Sequence, residues 1–328
     1  MRIAVVHNPI SDDETDPSER DVLDQARFVR EALISAGHEV TCHPMDEFRR
    51  AVRRDRPDGV FNLVESLDGR NEMLHAGPAV WEALKLPYTG SGGKAMAETT
   101  NKAVAKEILR NAGIPTPNWA VYEGKRDVCK DVPGPWMLKP LNEDASVGIE
   151  DSSVVRDARN LAPRLRAMRR RFNQPILIER FIEGREFNIS IIGGARRPRV
   201  LPPAEMIFKD FPPGKERIVG FRAKWETGTF EYRHTVRRFD YGPKDAALLR
   251  QLRVITRRCW ELFDLHGYAR VDYRVDADGR PYVIEVNVNP CLSPDAGFFA
   301  AVRRARISPK RMVKLILEDL AWPPAAVR

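Results

Sequence analysis

The chain has 328 residues, 43% of them hydrophobic, and a formal charge of +8. That length exceeds one small core and predicts two or three domains, while no apolar run approaches the ~18 residues of a membrane span. The basic residues are interleaved with acidic ones, without zinc-finger spacing or an RNA-binding aromatic motif, so neither nucleic acid nor membrane is an expected partner.

The start, Met1-Arg2-Ile3-Ala4-Val5-Val6, runs straight into a strand and lacks the longer apolar core and cleavage site of a signal peptide. Four scattered cysteines (Cys42, Cys129, Cys259, Cys291) form no CxxC pair. Both features lead us to expect a cytoplasmic protein with reduced thiols.

Residues 1–95 read as an α/β unit. Residues 3–6 are a buried-type strand, and a polar loop over residues 11–17 follows. Ser18-Glu19-Arg20-Asp21 has the form of a capping box opening a helix. Val22, Ala26, Val29 and Leu33 recur at helical spacing, and Ala36-Gly37 ends the run. Residues 38–43 and 59–64 read as two more strands, and the alternation implies a parallel sheet with helices on its faces. The glycines of Thr89-Gly90-Ser91-Gly92-Gly93 suit a phosphate loop or a structural turn; without a Walker pattern the turn is favoured.

Thr99-Thr100-Asn101-Lys102 caps a helix reaching Gly113, and Trp136-Met137-Leu138-Lys139-Pro140 is a strand that ends in a lysine. A small-residue loop over 142–148 follows, then a basic helix over 157–172 whose charges suit a solvated face. Residues 175–182 form a strand that turns at Glu183-Gly184 into another over 186–192. Residues 193–243 read as irregular, a length that in enzymes often serves as a lid. A long helix over 244–266, a closing helix over 310–320 and a loosely held Trp322-Pro323-Pro324 tail complete the chain.

Between the last two helices lies the most informative stretch. Ala269-Arg270-Val271-Asp272-Tyr273-Arg274-Val275 and Tyr282-Val283-Ile284-Glu285-Val286-Asn287-Val288-Asn289 alternate apolar and polar residues around Asp278-Gly279, the signature of a β-hairpin. Period-two alternation sets Arg270, Asp272 and Arg274 opposite Val271, Tyr273 and Val275, and Glu285, Asn287 and Asn289 opposite Ile284, Val286 and Val288. Pairing the strands brings Asp272, Glu285 and Asn287 together beside Arg270. Two carboxylates and an amide oxygen are hard ligands suited to Mg²⁺, and an adjacent arginine would stabilise developing negative charge. An ordinary solvated hairpin face is the plainer reading of the same pattern.

A lysine at a helix start, a lysine ending a strand, a Ser/Gly loop, a strand-end Glu and an Asp…Glu-x-Asn hairpin occur in that order. This set resembles the ATP-grasp superfamily, and within it the D-alanine–D-alanine ligase family. The matching pieces are Leu86-Pro87-Tyr88-Thr89-Gly90-Ser91-Gly92, Asn101-Lys102, Leu138-Lys139-Pro140, Ser146-Val147-Gly148, residues 184–187 and residues 285–290. The resemblance implies an ATP-grasp fold: an N-terminal parallel α/β domain (1–95) plus two α+β subdomains (96–183 and 184–328) sandwiching ATP.

It also implies residue roles. Lys102 and Lys139 would contact phosphate oxygens; Ser146, Val147 and Gly148 would cover the phosphates, and Lys224 would close onto them. Glu179, Arg180, Phe181 and Ile182 would form the hinge that binds adenine by main chain, with Glu186 accepting from the ribose or, in the plainer alternative, sitting in a salt bridge. Asp272, Glu285 and Asn287 would hold Mg²⁺ or Mn²⁺, and Arg270 and Ser146 are the catalytic candidates. A carboxylate would take the γ-phosphate of ATP, an amine would attack the acyl phosphate, and ADP and phosphate would leave. No side-chain nucleophile is needed, so the cysteines are bystanders. The family is commonly a homodimer.

The substrate positions depart from the family. Glu19 matches its substrate glutamate, but Ala145 stands at its serine position and Trp225 at its tyrosine position. Its Asn-x-x-Pro-Gly reads Asn287-Val288-Asn289-Pro290-Cys291, and the serine near the acceptor carboxylate aligns with Ala296, for which Ser293 is a candidate substitute. The basic loop residues Arg222, Arg233, His234, Arg237 and Arg238 suit an anionic substrate or a solvated face. The expectation is an ATP-dependent carboxylate–amine ligase acting on small-molecule amino acid or peptide substrates other than paired D-alanine. The alternatives are an authentic D-alanine–D-alanine ligase and a non-catalytic nucleotide-binding regulator.

Overall fold

The computed structural model describes residues 1–10, 14–67, 70–124 and 132–320. Part of the expected polar loop (11–13), Cys129 and the 322–324 tail lie outside the described residues.

Three sheets carry the described residues. The first is parallel, ordered β2-β1-β3, from β1 (Arg2–His7), β2 (Glu39–Pro44) and β3 (Gly59–Leu63). Helices α1 (Pro17–Ser35) and α2 (Met45–Asp55) follow β1 and β2. The expected Ser18 capping box is not the cap. Asp16 is: its carboxylate accepts from Ser18 N at 2.8 Å, and Pro17 occupies the first turn, where no N–H is needed. The glycine-rich turn is structural: Tyr88 bridges Val60 in parallel, and a Cβ on Gly267 would stand 2.8 Å from Gly90 N.

Helices α3 (Ala76–Ala83), α4 (Gly93–Thr100) and α5 (Lys102–Asn111) lead to the second sheet. Asn101 caps α5, accepting from Ala103 N and Val104 N. That sheet is antiparallel, ordered β4-β7-β5-β6, from β4 (Trp119–Tyr122), β5 (Trp136–Pro140), β6 (Val154–Val155) and β7 (Ile176–Arg180). Helix α6 (Ala158–Phe172) covers one face through buried Leu161 and Leu165.

The third sheet is also antiparallel, ordered β11-β10-β8-β12-β13 with β9 on β8. Its strands are β8 (Arg185–Ile192), β9 (Arg199–Val200), β10 (Ala204–Phe208), β11 (Thr235–Arg238), β12 (Tyr268–Val275) and β13 (Pro281–Asn287). Residues 193–243 are therefore not irregular throughout. They hold β9, β10 and β11 and two five-residue helices, α7 (Phe221–Trp225) and α8 (Phe230–His234). Strands of two to five residues are too short for alternation to register.

Helix α9 (Ala246–Leu262) packs on the third sheet through Leu252, Ile255 and Cys259. Helices α10 (Gly297–Arg304) and α11 (Pro309–Leu317) return to the first sheet, where Phe298, Val302, Met312 and Ile316 share a core with Val5, Val22 and Leu33.

The expected hairpin is β12–β13, with Asp272 opposite Glu285 and Arg270 opposite Asn287. Val271, Tyr273 and Val275 are fully buried on its core face. A register shift after Asp272 pairs Tyr273 with Val283, so two residues on β13 oppose one on β12. That bulge corrects one expectation: Ile284 faces the same side as Glu285, and both line the cleft.

Candidate active site

A cleft of about 750 Å³ lies between residues of the second and third sheets. Lys102, Lys139, Ala145, Ser146, Val147, Glu179, Arg180, Phe181, Ile182, Glu186, Lys224, Trp225, Arg270, Asp272 and Glu285 all line it. A smaller cavity of about 60 Å³ shares Ala145, Val147, Lys224, Trp225 and Cys291 with the cleft and adds Glu19 and Asn287. Gly148 and Ser293 line neither. Gly148 is wedged where a Cβ would meet Phe172 at 2.6 Å, and its φ of +76° is the left-handed region that glycine tolerates.

The floor is a buried charge cluster. Lys139, one residue before the end of β5, has Nζ 2.5 Å from Glu179 Oε1 on β7, and Lys106 Nζ on α5 lies 2.7 Å from Glu179 Oε2. Burial pushes the Glu179 carboxyl up, but the two ammonium groups outweigh it and hold the pKa at about 2. The sequence suggested only a main-chain role for Glu179. Lys106 escaped notice because its partner is distant in sequence. Lys102 reaches from the start of α5 to the Glu143 carbonyl and stands 3.5 Å from Asp144.

One wall carries Glu186, whose Oε2 accepts from Arg274 Nη1 at 2.8 Å. The Arg274 Nε also donates to the Ile182 carbonyl at 2.9 Å, and its guanidinium lies 5.0 Å from the Phe181 ring centroid. Arg274 thus fixes the hinge and the glutamate together. The salt bridge foreseen as the plainer reading of Glu186 is present. Phe181 N–H donates to the Pro135 carbonyl at 2.7 Å.

The roof is built from two loops. Ala145 and Ser146 both have positive φ (55° and 65°), a strained conformation for residues with a Cβ. Ser146 Oγ donates to the Val219 carbonyl at 3.0 Å, Phe221 N to the Ile149 carbonyl at 2.9 Å, and Trp225 Nε1 to the Ala145 carbonyl at 2.8 Å. Lys224 Nζ lies 5.1 Å from the Trp225 ring centroid, and burial followed by the Arg270 charge lowers its pKa.

Across from this, Arg270 grips Asp272 with two 2.8 Å hydrogen bonds, Nε to Oδ1 and Nη2 to Oδ2. Glu285, on the neighbouring strand, faces Asp144, whose carboxyl is pushed up to about 6, chiefly by burial and, among its neighbours, by Glu285. The nearby lysines and Arg270 outweigh burial and lower the Glu285 pKa. The facing carboxylates, with Asp272 and Asn287 adjoining, supply hard oxygens of the kind a divalent cation such as Mg²⁺ or Mn²⁺ takes. Among the described residues, however, no three acidic groups converge as a metal cluster, and Arg270 occupies both Asp272 oxygens, so a cation there would have to displace the guanidinium from at least one of them. Asp144 was not anticipated from sequence.

Toward α1, Asp21 accepts from Ser293 Oγ at 2.7 Å and from the Cys291 thiol at 2.8 Å. Ser293 is thereby buried against Asp21, away from the cleft. Burial, then Asp21, drives the Cys291 thiol well above its ordinary pKa, the opposite of an activated nucleophile. Glu19 accepts from Asn8 Nδ2 at 3.5 Å, and burial raises its pKa.

Two antiparallel α+β sheets enclosing lysine-lined space beside an Asp–Glu–Asn hairpin, behind a parallel α/β unit, define an ATP-grasp ligase that forms carbon–nitrogen bonds. The backbone superposes on a D-alanine–D-alanine ligase of Bacillus anthracis complexed with ATP at a TM-score of 0.75, covering 97% of this chain and 96% of that one at 22% identity. The family model for the D-ala D-ala ligase C-terminus matches residues 108–318. A D-alanine–D-alanine ligase of Synechococcus sp. (strain JA-3-3Ab) is 31% identical over 318 residues, 95% of this chain and 93% of the relative. An uncharacterised protein, y4sG, of Sinorhizobium fredii is 29% identical over 289 residues, 88% of this chain and 82% of the relative. The chain belongs to the D-alanine–D-alanine ligase family.

Proposed function

We propose that the protein joins a carboxylate to an amine through an acyl phosphate, on amino acid or small peptide substrates other than two molecules of D-alanine. The carboxylate oxygen attacks the γ-phosphorus of ATP and ADP leaves; the amine then attacks the acyl carbon, loses a proton, and phosphate leaves. Lys102, Lys139 and Lys224 are assigned to the phosphates, and Ser146 and its loop to covering them. Arg270 is assigned to the oxyanion of the tetrahedral intermediate. A divalent cation held by Asp272, Glu285 and Asn287 would supply charge neutralisation at the phosphates. Glu186 and residues 179–182 are assigned to the nucleoside, and Glu19, with Ala145 and Trp225, to the carboxylate substrate.

The observation that carries the departure from D-alanine is the hydrogen bond from Trp225 Nε1 to the Ala145 carbonyl. Where the family places two hydroxyls, this chain places an indole and a methyl group, and the indole N–H is already engaged. A polar substrate that relied on those hydroxyls would lose its partners, which discriminates strongly. The test is ADP release with Mg²⁺-ATP across D- and L-amino acids, singly and in pairs. Turnover confined to D-alanine would refute the departure.

A further inference from the structure

Strand β11 sets Thr235 and Arg237 two residues apart on one face, and both line the cleft. This segment is rich in arginine, but its other members do not line the cleft: Arg238 pairs with Glu205, Arg222 lies 3.3 Å from Glu226 and 3.2 Å from Glu231, and Arg233 donates to the Gly228 carbonyl at 3.0 Å. Arg237 differs. Among the described residues its hydrogen bond is one, Nη1 to the Asp295 carbonyl at 3.0 Å, which leaves Nε and Nη2 without partners. Arg237 is open to solvent in the cleft; desolvation by the surrounding walls, then the nearby Arg270 charge, lowers its pKa, and Asp295 opposes them. The buried hydroxyl of Thr235 also has no partner.

The guanidinium faces the start of α10. A Cβ at Gly297 would meet Arg237 Nε at 3.4 Å and Nη2 at 3.8 Å. The residue before, Ala296, is the helix cap and offers no side-chain oxygen to the first-turn N–H groups. An unpaired guanidinium edge, a free hydroxyl and an uncapped helix start therefore converge on one wall, beside the arginine assigned to the reacting acyl group. Planar guanidinium matches a carboxylate.

We propose that Arg237 is a specificity-determining residue that anchors the carboxylate of the amine-side substrate. That substrate is then an α-amino acid or a peptide with a free C-terminus, rather than a simple amine or an amino-acid amide. The proposal rests on the ligase reading above and adds the class of acceptor to it.

The test compares wild type with Arg237→Gln and Arg237→Lys. D- and L-amino acids are offered in pairs, each acceptor as free acid and as its carboxamide. Two readouts are taken: ADP release, and calorimetric binding of the same acids and amides to the enzyme holding Mg²⁺ and a non-hydrolysable ATP analogue. We expect free acids to be preferred. Arg237→Gln raises the acceptor KM about 10- to 100-fold, the size of a lost charge-assisted pair, while kcat, KM for ATP and Tm hold. Arg237→Lys recovers part of the loss, and amides are indifferent to either change. Equal use of acids and amides, an unchanged acceptor KM in Arg237→Gln, or no binding by any acid in the panel overturns the proposal. ADP release that ignores Arg237 leaves the ligase reading standing and removes this one. Arg237-dependent binding of acids without ADP release does the reverse.

Discussion

Lys139 and Glu179 face each other across adjacent strands, Nζ 2.5 Å from Oε1, and Lys106 holds the other carboxylate oxygen at 2.7 Å. One buried anion is thus shared by two buried cations, one of them the lysine assigned to phosphate, and the cluster keeps a net positive charge.

Glu179→Gln strands both ammonium groups and is expected to cost about 3–5 kcal/mol in urea denaturation. The pH dependence follows from the sign of the shift. A carboxyl depressed to about 2 stabilises the fold above its unfolded value near ~4.3, and that contribution drains away as pH falls from there through about 2. The variant should lack this acid limb. A wild-type acid profile reproduced by Glu179→Gln would remove the charge cluster from the account.

Gly184 links β7 to β8 at φ +135°, and a Cβ there would stand 2.0 Å from the Val275 carbonyl oxygen. Since that atom is backbone, Gly184→Ala is expected to lose at least ~3 kcal/mol or fail to fold. Gly279, in the hairpin turn at φ +78°, has nothing within 4 Å, and Gly279→Ala should cost about 1 kcal/mol. Thermal denaturation of the pair separates clash from strain.

Asp272 and Glu285 are cross-strand partners on the cleft wall. Asp272→Asn and Glu285→Gln should each lower kcat/KM by ~10²-fold or more and weaken the dependence on added Mg²⁺. Unchanged metal dependence would move the cation elsewhere.

Trp225 ties the two roof loops together through Ala145. Trp225→Phe keeps the ring and drops the N–H, so about 1 kcal/mol of loop closure is lost. Hydrogen exchange at residues 145–149 should quicken while the three sheets keep their protection.

The hairpin was readable because period two separates core from cleft without tertiary knowledge, and the fold class followed from the order of motifs around it. The bulge at Ile284 was not readable, since one residue out of register leaves the alternation intact on either side. Lys106 and Asp144 were invisible for another reason. A lysine on a helix and an aspartate in a loop look solvated until Glu179 and Glu285, far along the chain, are folded against them. Ser18 misled because Ser-x-x-Asp resembles a cap, whereas the Asp16–Pro17 pair does the capping. Arg237 was legible only as one of several basic loop residues. Its distinction is a place on the cleft wall without a carboxylate paired to it among the described residues, which no sequence pattern records.

The most direct measurement is ADP release with Mg²⁺-ATP over paired D- and L-amino acids, D-alanine with itself included, with Asp272→Asn and Glu285→Gln as controls. Turnover is expected with a pair other than two D-alanines, and it is abolished in both variants. Turnover with D-alanine alone would show that the pocket formed by Ala145 and Trp225 serves the family's ordinary reaction, and the claim of a different substrate would fall.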